Sequence, residues 1–278
     1  MDRIVSVSTL AFDGYPLETA LDELAGLGVR YVEPAGAGPG SQQLAEEDFC
    51  PARANWLRSQ LARRGLACLS LSAPMDLAGE GAVERFQRRL EFARNLGARC
   101  VSTMAGPAGR LAELRKNLPA VAERARDLGV VVALEGHGEP PARAEQTLEL
   151  IRELDQPAVR AGYDTGEAWY CSRGAADPAE ELSLLAPALA HVRLKSPKVA
   201  DGLLSWGALG EGALDVPGVA RVLRERLPGV PVSCELSPRQ RSRDFEPRWL
   251  VPEIPPLEEI RKRIARSLEL LEAQLGGR

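Results

Sequence analysis

The sequence predicts a single eight-stranded parallel α/β barrel, a (β/α)8 fold, over all 278 residues. Three observations predict it. Short apolar strands alternate with amphipathic helices, and parallel strands need such crossovers. Four of the helices end in the same way, on a glycine a few residues before a strand: Leu24-Ala-Gly-Leu-Gly28, Leu61-Ala-Arg-Arg-Gly65, Ala93-Arg-Asn-Leu-Gly97 and Ala125-Arg-Asp-Leu-Gly129. A glycine just past the last turn is the usual helix stop. Polar and charged residues, finally, gather at the C-terminal ends of the strands, where barrels of this class carry their chemistry.

In chain order, the first strand runs from about Ile4 to Leu10 and its helix from Pro16 to Leu27. The next strands are Tyr31-Val32-Glu33, Cys68 to Leu71 and Cys100 to Thr103, each after a glycine-stopped helix. The fifth, Val130-Val131-Val132-Ala133-Leu134-Glu135, is so apolar that it must be covered on both faces. Helices over Ala142 to Leu154, Pro178 to Leu185 and Pro217 to Leu227 then interleave with strands Val159 to Asp164, Ala190 to Lys195 and Val230 to Glu235. A last helix, Leu257 to Leu275, carries an apolar stripe at Ile260, Ile264, Leu268 and Leu271. The alternative is an open doubly wound sheet, which would want a GxGxxG turn after a strand. Gly36-Ala-Gly38-Pro-Gly40 is a poor match, with a proline inside it and no helix directly behind. The longest non-helical stretches, Ser196 to Asp215 and Ser237 to Pro256, follow strands and are expected to form substrate loops.

Composition narrows the function classes. The net charge of −4 argues against a nucleic-acid scaffold, and no apolar window reaches the length of a membrane helix. The chain enters its first strand without a signal-like stretch, and its five cysteines form no CxxC pair. Cys68, Cys100 and Cys234 sit in apolar strands, as reduced thiols of a cytoplasmic protein would.

The strand ends carry Glu33; Glu135 and, two residues on, His137; Asp164-Thr165-Gly166-Glu167; His191, Arg193 and Lys195; and Glu235. Side chains alternate along a strand, so Glu135 and His137 share one face, and so do His191, Arg193 and Lys195. Three carboxylates meeting at one mouth need a cation or a shared proton. Oxygen ligands favour Mg2+ or Mn2+ for that role.

Here the chain resembles the xylose isomerase-like barrels, which include sugar phosphate isomerases and epimerases. Leu134-Glu135-Gly136-His137 is similar to the family's Glu-x-His, and Tyr163-Asp164-Thr165-Gly166 to its Asp-Thr-Gly-His. His191-Val192-Arg193-Leu194-Lys195 is similar to His-x-His-Leu-Lys-Asp. Leu209-Gly210-Glu211-Gly212 with Asp215 resembles a Gly-x-Gly-x-x-Asp loop, and Ser233-Cys234-Glu235 carries the last strand's glutamate. The resemblance implies one divalent metal on Glu135, Asp164, Glu235 and position 193, with Glu135 and Glu235 as the acid–base pair. It implies a sugar or sugar-like substrate, met by His137, Glu167, Arg193 and Lys195. Position 193 is Arg, which cannot ligate a metal. Either its guanidinium replaces the ion or a metal persists on the three carboxylates. Glu167 stands where the family has His, and Ser196 where it has Asp.

Isomerisation or epimerisation through an enediolate is the leading expectation. Dehydration of a hydroxy-carbonyl compound and non-catalytic sugar binding are the alternatives. Abasic-site endonucleases share the fold, but their three-zinc site needs more histidines than the 2 present. Glu33 is expected behind the site rather than in it. Lys195 reads more readily as a structural ion pair than as a substrate contact. Arg239, Arg241, Arg243 and Arg248 are candidates for a phosphate or carboxylate clamp, and more readily for a solvated loop or a subunit contact. Trp169, Tyr170, Trp206, Phe245 and Trp249 could cover a sugar or pack between the subunits of a homo-oligomer.

Overall fold

A computed structural model describes residues 4–36, 43–106, 108–136 and 143–276. The barrel strands are β1 (Val5–Ser8), β2 (Tyr31–Glu33), β3 (Ala67–Cys68), β4 (Ser70–Ser72), β5 (Cys100–Met104), β6 (Val131–Glu135), β7 (Val159–Asp164), β8 (Leu189–Leu194) and β11 (Val232–Cys234). All pair in parallel, in the order β3-β2-β1-β11-β8-β7-β6-β5-β4. The two ends of that order, β3 and β4, are halves of one strand interrupted at Leu69. Beyond the break, the Ser72 amide donates to Pro34 O at 3.0 Å, and the Gly36 amide donates to Ser72 O at 2.7 Å. The sheet is therefore a nearly closed barrel of eight strands in nine segments, and the open-sheet alternative is set aside.

Helices α1 (Leu17–Gly26), α2 (Pro51–Arg63), α3 (Ala82–Leu96), α4 (Leu111–Leu128), α5 (Ala144–Leu154), α7 (Pro178–Leu185), α8 (Val216–Arg226) and α9 (Leu257–Leu275) surround it. The four repeat-ending glycines all hold positive φ, from 64° at Gly129 to 97° at Gly97, a conformation that costs other residues a steric clash. Asp177 and Asp215 start α7 and α8, each side chain accepting from backbone amides of the first turn. No helix among the described residues is long and apolar enough to cross a membrane.

The two long segments expected as loops are more ordered than that. They contribute β9 (Ser196–Ala200), β10 (Leu203–Gly207), β12 (Gln240–Arg243) and β13 (Trp249–Leu250), which form an antiparallel sheet in the order β13-β12-β10-β9. A short helix, α6 (Thr165–Cys171), follows β7 directly.

Apolar packing lies outside the barrel, between strands and helices. One cluster joins β1–β6 to α1–α4, and a second joins β7, β8 and β11 to α7 and α8, with Ile151 packed against both. The inward positions are polar. Ser6, Ser70, Ser102, Ser233, Glu33, His191 and Arg193 are all buried.

Candidate functional site

The register puts the charged residues together before any side chain is considered. Asp164 on β7 pairs with Arg193 on β8, and Arg193 pairs with Ser233 on β11. Parallel register partners point to the same face, so all three face inward. Glu135 stands beside Gly162, whose missing side chain leaves it room.

The Arg193 guanidinium is the hub. Its Nη1 donates to both oxygens of Glu135 at 3.0 and 3.1 Å. Its Nη2 donates to Ser102 Oγ at 2.7 Å and to Glu33 Oε1 at 3.0 Å. Its Nε lies 3.2 Å from Glu33 Oε1 and 3.2 Å from Glu235 Oε2. Asp164 Oδ2 is further off, at 3.6 Å from Nη1. Glu33 is fully buried, accepts from Ser233 Oγ at 3.0 Å and sits 3.1 Å from His191 Nε2. It thus belongs beneath the site, as its place on strand two suggests, but as a direct partner of Arg193.

A second group adjoins the first. Lys195 Nζ is 3.1 Å from Glu235 Oε1, 3.2 Å from Glu167 Oε1 and 4.2 Å from the centre of the Trp206 ring. Gln240 on β12 accepts a further Lys195 hydrogen bond at 3.4 Å, and Arg248 pairs with Glu167. Asp164 Oδ1 caps α6 by accepting from the Gly166 and Glu167 amides at 2.8 and 2.9 Å, which aims Glu167 at Lys195.

Electrostatics follow from this packing. Burial alone would raise the Glu33 carboxyl, yet Arg193 and His191 hold it well below the usual carboxylate range. Asp164 goes the other way: burial, with Glu167 and Glu235 as like charges, pushes it up to about 6 against the pull of Lys195 and Arg193. Burial opposes the charge on Arg193 and Lys195, and the surrounding carboxylates raise both despite it.

These residues do not form a divalent-metal cradle. An ion bound to Glu135, Asp164 and Glu235 needs their oxygens at roughly 2.0–2.6 Å, in the space the guanidinium already fills. It would also place two positive charges against a third. Among the described residues no group of three or more His, Cys, Asp or Glu side chains is disposed to hold a metal. Of the two readings of position 193, the guanidinium in place of the ion is the one this packing favours.

His137 lies outside the described residues. The candidate arginine clamp does not assemble: Arg239 pairs with Asp13, Arg241 and Arg243 donate to backbone carbonyls, and Arg248 alone reaches the site. Of the loop aromatics, Trp206 is buried beneath Lys195 and Tyr170 carries Arg248 over its ring. Trp169 and Tyr170 pack on Phe245, whereas Trp249 is exposed. Glu211 and Asp215 of the glycine-rich loop are structural here, on Arg266 and the start of α8. Sequence reasoning missed Ser102, Ser233 and Gln240; the two serines carry a readable signal, a small hydroxyl on the inward face of an apolar strand. A groove of about 460 Å³ beside α6 and α7 is lined by none of these site carboxylates.

Comparison with known proteins accords with this architecture. The chain matches the D-psicose 3-epimerase structure in the presence of D-fructose with a TM-score of 0.74 at 14% identity, covering 99% of this chain and 100% of that one. The IOLI protein with a binding zinc atom gives a TM-score of 0.74 at 16% identity, over 98% and 99% of the two chains. The probable 3-DHS dehydratase AsbF from Bacillus anthracis gives 0.71 at 16% identity, over 96% and 98%. None of the curated proteins matches the chain. At these identities the likeness shows the fold alone. The sequence model of the xylose isomerase-like TIM barrel matches residues 21–271, and the chain belongs to that family.

Proposed function

We propose that this protein moves a proton at the carbon next to a carbonyl, isomerising or epimerising a sugar or sugar-like hydroxy-carbonyl compound. The observation that carries this reading is the meeting of Glu135 and Glu235, from strands far apart in the chain, on one guanidinium at 3.0 and 3.2 Å. One of them, as the carboxylate, would take the proton from the α-carbon, and the other, entering as the carboxylic acid, would give its proton to the resulting enediolate, so that the pair ends with its protonation exchanged. Arg193 and Lys195, both held in their charged forms, would stabilise the enediolate oxygens as negative charge develops. Glu167, fixed by Lys195 and Arg248, would orient a substrate hydroxyl together with His137. No step in this scheme needs a divalent metal. The buried thiols of Cys68, Cys100 and Cys234 suit a reducing compartment such as the cytoplasm.

The test is NMR-monitored exchange of the substrate α-proton in D2O over a panel of ketoses. Wild-type protein should exchange it, and Glu135→Gln and Glu235→Gln should each lose about 10²–10⁴-fold, the usual worth of a general acid or base. An α,β-unsaturated product in the same spectra would identify the dehydratase outcome. One observation favours a second reading, a pocket that binds a sugar without turning it over: both Glu135 oxygens already accept from Arg193. Calorimetric binding of a ketose with no exchange would establish that reading instead.

A further inference from the structure

We infer that Arg193, anchored from below by Glu33, is the permanent cation of this site and that the protein holds no divalent ion between Glu135, Asp164 and Glu235. The inference concerns the charge that holds the site together and does not depend on the reaction proposed above.

Three observations carry it. All three guanidinium nitrogens are committed: Nη1 to Glu135, Nη2 to Glu33 and Ser102, and Nε to Glu33 and Glu235. A planar fork with five N–H donors can satisfy several carboxylates at once, which a lysine could not do in the same geometry. Second, the neighbouring oxygens are spaced for N–H donors and not for a metal. They lie 3.0 to 3.6 Å from guanidinium nitrogens, and an ion at ligand distance from all three carboxylates would overlap that group.

Third, Glu33 faces the arginine from beneath the site, with the largest single share of its stabilising charge coming from that guanidinium and a second from His191. It has no solvent exposure, so it cannot reach a substrate at the mouth. It meets the guanidinium through both Nε and Nη2, with Ser233 and His191 on its remaining sides. A buried carboxylate of this kind stays ionised only beside a matched cation. Glu33 and Arg193 are therefore one unit: the carboxylate fixes the arginine's position, and the arginine presents its other edge to Glu135 and Glu235.

Metal content and thermal unfolding test this without reference to activity. Wild-type protein, equilibrated with millimolar Mn2+ and desalted, should carry substoichiometric manganese by elemental analysis. Its unfolding midpoint should not move with Mn2+ or EDTA. Arg193→His should gain manganese approaching one ion per chain and a Mn2+-dependent rise in midpoint of about 5 °C, the size expected when a ligand is well above its Kd. Adding Asp164→Asn should remove that gain. One tightly held Mn2+ per wild-type chain, or a wild-type midpoint lowered by EDTA, would overturn the inference, and this arm decides it even if Arg193→His does not fold. An Arg193→His protein that folds but takes up no Mn2+ would also overturn it, because the position would then not be a cation site. Loss of ketose exchange with these metal results intact would count against the proposed reaction alone.

Discussion

Arg193 and Glu33 form a buried pair whose halves differ in what they leave behind when removed. Arg193→Met strands Glu33, Glu135 and Glu235 without their shared cation, and breaking a buried pair in this way costs about 3–5 kcal/mol. Glu33→Gln leaves the guanidinium Glu135, Glu235 and, at 3.6 Å, Asp164, so the smaller loss is expected there. In a double-mutant cycle read by urea unfolding, the double variant should lose less than the sum of the singles, because each removes the other's partner. The inward direction of Arg193 was legible from alternation along β8. The role of Glu33 was not, because its partner lies 160 positions away and alternation on one strand says nothing about which distant strand it faces.

Among the elements, α6 shows how a cap positions a site. Asp164 ends β7, accepts the first amides of α6 and so turns Glu167 toward Lys195. Gly166 sits where the side chains of Trp206 and Lys195 press closest. A Cβ there would lie 2.7 Å from the Trp206 ring and 2.8 Å from Lys195 Cγ. Gly166→Ala should therefore displace both side chains, cost about 1–3 kcal/mol as overpacking does, and shift the Trp206 fluorescence. Thermal unfolding and emission spectra check the two halves of that expectation. The helices were readable from their glycine stops, and α7 and α9 run over the residues expected from the sequence. The antiparallel sheet was not. Its strands are short and mix apolar with polar residues, and β10 pairs with β12 across a helix and a barrel strand, a contact that local pattern does not encode.

Taken together, the fold separates two environments, an apolar layer between strands and helices and a polar, charged lumen. The lumen gives folding stability a pH dependence with two opposed limbs. Glu33 is depressed below its ordinary value of 4.5, so its contribution is present above that pH and lost as the pH falls. Asp164 is raised from 3.8 to about 6, so the folded chain holds a proton that the unfolded chain has released, and stability falls as the pH rises through 6. The maximum should thus lie on the acid side of neutrality. Asp164→Asn should flatten the alkaline limb, recovering about 1.4 kcal/mol at pH ~8 relative to pH ~5, because about one pKa unit of the shift is lost between those two values. Chemical denaturation at the two pH values measures it. The barrel class was legible because the apolar layer imposes a strong period on the sequence. The lumen network was legible only in part, since it is assembled from single polar residues on β2, β5, β6, β7, β8 and β11.

A cation written into the chain has a further consequence. A barrel that borrows its positive charge from solution exists as a mixture of empty, correctly filled and wrongly filled molecules, in proportions set by the cell's ion supply. Arg193 arrives with translation, one to a molecule, and cannot be exchanged or competed away. The population should be uniform from the moment of folding, through starvation for manganese or zinc, and in the presence of chelators that would strip such ions from their sites.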